Sequence, residues 1–160
     1  MFAPEALRQI IRTTLQLITT TRHPFWTPSA EEMLLMIAAH ESGLGSSLKQ
    51  IGSGPALGLY QIEPATMYDN YQNFIYARPG LEKQITEVSG VRLPSEQQLQ
   101  YNPIYSTIQA RLKLYRSPGQ LPAPHDAQAM ANYAKQHYNS PDGAATEEKY
   151  MQDYFRLVLV

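Results

Sequence analysis

The stretch from Ser29 to Gly43 constrains the fold more than any other part of this chain. Ser29-Ala30-Glu31-Glu32 reads as a capping box, in which the serine and Glu32 satisfy end amides reciprocally. Met33, Leu34, Ile37 and Ala38 then follow helical spacing to about Glu41, and Gly43 supplies a left-handed stop. A helix this apolar needs other apolar faces to cover it. The chain offers them as further helical stripes. Leu7, Ile10, Ile11, Leu15 and Ile18 make the first, broken after Thr19 by Pro24 and Pro28. Pro64 suits the first turn of a helix with Met67, Tyr68, Tyr71, Phe74 and Ile75 on one face, ended by Pro79-Gly80.

Shorter helices are expected over Leu81 to Val88 and from near Ser95. Asn102-Pro103 is an N-cap followed by N1, and Ile104, Ile108, Leu112 and Tyr115 form the stripe behind it. A proline-rich connection runs from Ser117 to Pro124. Asp126 then opens a helix carrying Ala127, Met130, Ala131, Ala134 and Tyr138, followed by a turn from Asn139 to Gly143. Thr146 caps a last helix carrying Tyr150, Tyr154, Leu157 and Val158. Alternating patterns are missing throughout. The expected fold is therefore mainly α, a single domain over residues 1–160: an N-terminal helix and connection (1–28), a core (29–146) and a C-terminal helix (147–160). The loop from Gly43 to Gly58, with Gly45, Gly52 and Gly54, has room for at most a small β-hairpin, and Leu59 to Ile62 is expected to be short and extended.

Composition excludes several function classes. An apolar fraction of 43% with 17% charged residues is that of a soluble globular protein. No apolar run approaches the ~18 residues of a membrane span. Thr13, Thr14, Gln16 and Thr19-Thr20-Thr21 interrupt the apolar N-terminal stripe, so no secretion signal is expected. The chain has no cysteine, hence no disulfide framework and no thiolate metal site. A formal charge of −1 leaves no basic footprint for nucleic acid. His40-Glu41 does not extend to His-Glu-x-x-His because position 44 is leucine, and the other histidines lack metal-ligand spacing with it. There is no phosphate loop and no nucleophile elbow; Gly52-Ser53-Gly54 lacks that spacing. No metal and no cofactor are expected.

The chemistry centres on Glu41. It lies three residues after Ala38, four after Ile37 and seven after Leu34, on the apolar face of its own helix. It is also near the helix C-terminus, where the macrodipole disfavours negative charge. Burial and dipole both favour the protonated carboxyl, the form able to donate a proton to an ether oxygen. A frayed, solvated helix end is the plain alternative, and spacing does not choose between them. Two segments sit close to this acid: Glu41-Ser42-Gly43-Leu44, and beyond the glycine-rich loop Gly58-Leu59-Tyr60-Gln61-Ile62-Glu63-Pro64.

These two segments resemble the first two motifs of the soluble lytic transglycosylases, a family related to goose-type lysozymes. The first motif is Glu-Ser with a small and an apolar residue. The second is Gly-Leu-Met-Gln, a variable pair and Pro, with Ala65-Thr66 also fitting. Asn102-Pro103-Ile104 and its stripe resemble the third. The fourth, a tyrosine in an Ala-Tyr-Asn-Ala-Gly context, is degraded: Asn132-Tyr133-Ala134 keeps the tyrosine without the rest. The segment His137 to Thr146 resembles the variant in tailed-phage members. The resemblance spans Glu32 to Thr146.

The resemblance implies a lysozyme-like helical domain that cleaves the β-1,4 bond between N-acetylmuramic acid and N-acetylglucosamine in peptidoglycan, with Glu41 as the single acid and base. It implies that Ser42 and Gln61 bond substrate or order the site, that Tyr133 orients Glu41, and that Tyr60, in place of methionine, stacks on a sugar face. For Ser42, capping of the helix end stays open; for Tyr133, a core role stays open. Glu63 reads more simply as the N-cap region of the helix begun by Pro64, and Asp69 as a solvated mid-helix residue. The expected partners are glycan strands and, in a phage particle, tail or other virion proteins. The phage virion acting at the host cell wall is the expected location, with the host cytoplasm before release as the alternative. Near-neutral charge gives little steering toward an anionic wall, which favours delivery by an assembly. A phage tail or capsid protein with this fold and no activity is the competing expectation, favoured by the altered fourth motif.

Overall fold

The computed structural model describes residues 1–49, 54–139 and 144–159. Among these the chain forms eight helices: α1 Pro4–Ile18, α2 Pro28–Ser42, α3 Pro64–Asn70, α4 Pro79–Ser89, α5 Glu96–Tyr101, α6 Pro103–Tyr115, α7 Ala127–Tyr133 and α8 Glu147–Leu157. The mainly α, single-domain expectation holds. Helices α3 and α7 each run on into one π-helical turn, Tyr71–Ile75 and Ala134–Tyr138. No helix is long and apolar enough to cross a membrane among the described residues.

Five helices begin with proline near the first position, where its missing N–H costs nothing. Asn102 accepts from Ile104 N and Tyr105 N, Asp126 from Ala129 N, and Thr146 from Lys149 N, as their sequence positions predict. Two expected boundaries move for the same reason. Pro28 takes the first position of α2, so Thr27, not Ser29, is the cap, and its hydroxyl accepts from Ala30 N. Pro79 likewise opens α4 instead of ending the helix before it.

Helix α2 is the centre of the molecule. Every residue from Ala30 to Ala39 is buried, so the helix has no single apolar face; it is enclosed all round. The α1 stripe of Leu7, Ile11, Leu15 and Ile18 packs against it, α8 lies along it with Tyr150 and Tyr154 fully buried, and α6 and α7 close the remaining sides. Glu32 is turned inward as well, which removes it from any capping role.

The helix stops at Gly43, whose φ of +59° makes the left-handed cap. The loop that follows forms no strand among its described residues. Only isolated bridges occur, Lys49 with Leu57 and Leu57 with Ile62. Residues 50–53, including Gly52 and Ser53, lie outside the described residues. Leu59 to Ile62 is a tight turn and not an extended piece. Leu57 and Ile62 exchange backbone hydrogen bonds of 2.9 and 3.0 Å across it. Gly58 (φ +82°) and Gln61 (φ +47°) both take left-handed conformations. A Cβ at Gly58 would meet the Leu99 carbonyl oxygen of α5 at 2.3 Å. Gly58→Ala is therefore expected to destabilise by about 3 kcal/mol, the sum of an unfavourable φ and overpacking against backbone. Chemical denaturation of the two proteins checks this; a loss below ~1 kcal/mol would contradict it.

Candidate active site

Where α2 emerges from the core, it delivers His40 and Glu41 to a cleft of about 840 Å³. Gln61, Glu63 and Thr66 line it from the turn and the start of α3, and Lys113 from α6. His137, Tyr138 and Asn139 line it from the π-turn after α7, with Ala144 beyond.

Glu41 is half-buried. Burial pushes its carboxyl above the usual carboxylate range, against the opposing pull of His40, Tyr150 and Lys113. The Tyr150 hydroxyl, from α8, donates to Glu41 Oε1 at 3.1 Å. Oε2 has no protein partner among the described residues. Glu41 is thus held by one oxygen, with no protein partner at the other among the described residues, and its pKa is raised by burial. Tyr150 in turn stacks on His40, with ring centroids 4.1 Å apart. His40 Nδ1 lies 2.9 Å from Asp153 Oδ2. These contacts fix the end of α2 to α8.

Lys113 is the cation of the cleft. Its Nζ donates to the Tyr138 carbonyl at 2.7 Å and sits 3.9 Å above the Tyr138 ring. Burial lowers its pKa, while the Glu41 and Glu63 carboxylates partly restore it. Tyr138 anchors this wall: its hydroxyl donates to the Tyr60 carbonyl at 2.5 Å, tying the π-turn to the Gly58–Gln61 turn. The Asn139 Nδ2 group is buried in the cleft wall, with no hydrogen-bond partner among the described residues. Buried amides are nearly always paired, so this one is an exception in the cleft wall.

The five residues singled out from the sequence end in different places. Glu41 and Gln61 meet at the cleft. Gln61 Nε2 donates to the Gly58 carbonyl at 2.9 Å, which anchors the amide in its own strained turn. Ser42 does not face the cleft. It is buried, donates to the Leu59 carbonyl at 2.6 Å and accepts from Gly45 N at 2.9 Å, so it bonds the helix end to the second segment. Tyr60 does not stack on a sugar face, because it is fully buried with its hydroxyl 2.8 Å from Thr107 Oγ1. Tyr133 does not orient Glu41. Its hydroxyl donates to the Pro118 carbonyl at 3.2 Å, and its ring packs on His137 at 4.5 Å. The Glu41 partner is Tyr150. Glu63 is an N-cap without a side-chain cap bond, and it is exposed in the cleft. Asp69 is exposed as expected, paired with Arg116 at 2.9 Å.

The sequence reading missed Lys113, Tyr150 and Asn139 as site residues. One signal was available. Tyr138-Asn139 pairs tyrosine with asparagine as the fourth motif does, whereas Tyr133 is followed by alanine. Residues 140–143 of that segment lie outside the described residues. No group of three or more histidine and carboxylate side chains able to hold a metal occurs among the described residues. In comparisons with known proteins, the chain matches no family model, no curated protein and no solved structure.

Proposed function

We propose that the protein is a peptidoglycan lytic transglycosylase with a lysozyme-like helical domain, acting through Glu41. The observation that carries this reading is the Glu41 carboxyl itself: raised by burial, held at Oε1 by Tyr150 and without a protein partner at Oε2 among the described residues, in a cleft large enough for sugar rings. A buried carboxylic acid of this kind can remain protonated near neutral pH and serve as general acid. The motif resemblance of Glu41-Ser42 and Gly58–Pro64 supports the choice of substrate, and their direct bond through Ser42 and Leu59 explains why the two segments go together.

In this mechanism Glu41 gives its proton to the bridging oxygen as the C1–O4 bond breaks. The muramyl acetamido group supports the oxocarbenium-like centre, outside the usual two-carboxylate scheme. Glu41, now ionised and stabilised by Lys113 and Tyr150, takes the proton of the 6-hydroxyl as O6 bonds to C1. The product is a 1,6-anhydro end. Gln61, through its amide oxygen, bonds the sugar substituents. Delivery within a phage particle remains part of the proposal, on the resemblance of the His137–Thr146 segment.

Glu63 favours a second reading. It faces the same cleft with no side-chain capping bond, and a second carboxylate there is what a two-carboxylate muramidase uses to activate water. Digestion of purified peptidoglycan in heavy-oxygen water separates the readings. Muramyl ends lighter by one water and unlabelled are expected. Labelled reducing ends would establish the muramidase, and no cleavage by folded protein would leave the inactive structural role.

A further inference from the structure

A second cavity, of about 430 Å³, shares no lining residue with the Glu41 cleft. Arg111 of α6 lines it together with Thr27 and Ser29 at the start of α2, Tyr115, and Gly119 and Gln120 of the following connection. Arg111 is only 4% exposed. Its Nε donates to the Phe25 carbonyl at 2.6 Å, and its guanidinium carbon lies 5.3 Å from the centre of the Tyr115 ring. Among the described residues, no carboxylate pairs with it, and its two terminal nitrogens have no hydrogen-bond partner. The buried carboxylates are treated differently: Glu31 and Glu32 are matched to Arg8. Burial lowers the Arg111 guanidinium to about 10, which still leaves it charged at neutral pH. A buried charge without a counter-charge is costly, and proteins rarely keep one without use.

The start of α2 adds to the same cavity. Thr27 spends its hydroxyl on Ala30 N, and Pro28 has no N–H. The Ser29 N–H has no partner among the described residues, and it sits at the positive end of a 15-residue helix. None of the residues lining the cavity is acidic. A planar fork of free N–H donors, a free helix-end amide and the absence of acids are together the chemistry of an oxyanion site.

We propose that Arg111 and the start of α2 form a binding site for a small oxyanion group, separate from the Glu41 cleft. The ligand group is a carboxylate or phosphate oxygen set, gripped by the two terminal nitrogens of Arg111 and by Ser29 N–H. The site stands whether or not the cleft cleaves glycans.

The test is calorimetric titration of the full chain with inorganic phosphate and, separately, with acetate, at constant ionic strength held by chloride. Melting temperatures are followed in parallel. Saturable binding of one or both is expected, and the tighter one names the source as phosphate or carboxylate. Arg111→Met is expected to weaken it by at least about tenfold, the usual value of charged hydrogen bonds. Should Arg111→Met fail to fold, Arg111→Lys decides, because it keeps the charge and loses the fork. Its affinity is expected to fall several-fold. The proposal is overturned if neither anion gives saturable heat up to ~10 mM, about the weakest binding expected of a built charged site. It is equally overturned if the folded Met or Lys variant binds as the natural protein does.

Discussion

Glu41→Gln is expected to lower turnover on peptidoglycan by at least ~10²–10⁴-fold while leaving the protein folded, because that is the usual contribution of a positioned general acid. The substitution is nearly isosteric. The glutamine oxygen can still accept from the Tyr150 hydroxyl, so the contact between α2 and α8 survives. What disappears is the transferable proton. The same variant reports on stability. Burial raises the Glu41 pKa above its unfolded value, so the folded state binds the proton more tightly. Below the unfolded value of ~4.3 the group is neutral in both states and costs nothing. As pH rises through the folded value, the unfolded chain ionises preferentially and stability is lost. Glu41→Gln escapes that loss. It is expected to melt at or above the natural protein at pH 7, with the gap closing toward pH 4. Near-natural activity in folded Glu41→Gln would show that Glu41 is not the acid; abolition by Glu63→Gln as well would move the mechanism to the two-carboxylate muramidase.

How much of this site the sequence could disclose follows from the distance over which each part is assembled. Glu41 and Gln61 were readable because each lies in a short segment whose local chemistry, a glycine-capped helix end and a tight turn, is written in adjacent residues. The same holds for the helix starts at Asn102, Asp126 and Thr146, where a side chain caps its own helix. Tyr150 reaches Glu41 across 109 residues, and nothing in the α8 stripe distinguishes it from Tyr154, which bonds Glu32. Lys113 stands off the Ile108, Leu112, Tyr115 stripe and would ordinarily be solvated; only the π-turn at Ala134–Tyr138 brings a carbonyl and a ring over it. The spacing of Glu41 suggests one apolar face on α2, whereas the helix is enclosed on all sides and the cleft begins where that enclosure ends. Tyr60 was misplaced because its position in the motif says nothing about burial, and Thr107, which holds its hydroxyl, lies 47 residues away.

Replacing Arg8 should cost more stability than any other single surface-directed change on α1. Glu31 and Glu32 are both buried at the α1–α2 contact. Arg8 Nη1 lies 2.5 Å from Glu32 Oε2 and 3.2 Å from Glu31 Oε2. Arg12 makes a two-pronged bond to Glu31 at 2.7 and 2.8 Å, and Trp26 Nε1 adds a third at 3.0 Å. Glu31 therefore keeps strong partners without Arg8. Glu32 does not: it retains the Tyr154 hydroxyl and an exposed His125 whose Nδ1 is 3.5 Å away. Arg8→Met preserves most of the side-chain volume and leaves a buried carboxylate without its cation, for which a loss of about 3–5 kcal/mol is expected. Two controls separate charge from packing. Arg8→Met combined with Glu32→Gln removes both charges, keeps an acceptor for Tyr154, and should recover most of the loss in a double-mutant cycle. The second is pH. Burial alone would raise the Glu31 carboxyl, but hydrogen bonds from Arg12, Trp26 and Arg8 outweigh it and hold the pKa below its ordinary value. The stability this supplies is present above ~4.3 and lost as pH falls through the folded value. Arg8→Met should flatten that acid limb only in part, since Arg12 and Trp26 remain. A loss below ~1 kcal/mol, or a double variant no more stable than Arg8→Met, would mean that Arg8 acts through packing on α1 and not as the counter-charge of Glu32.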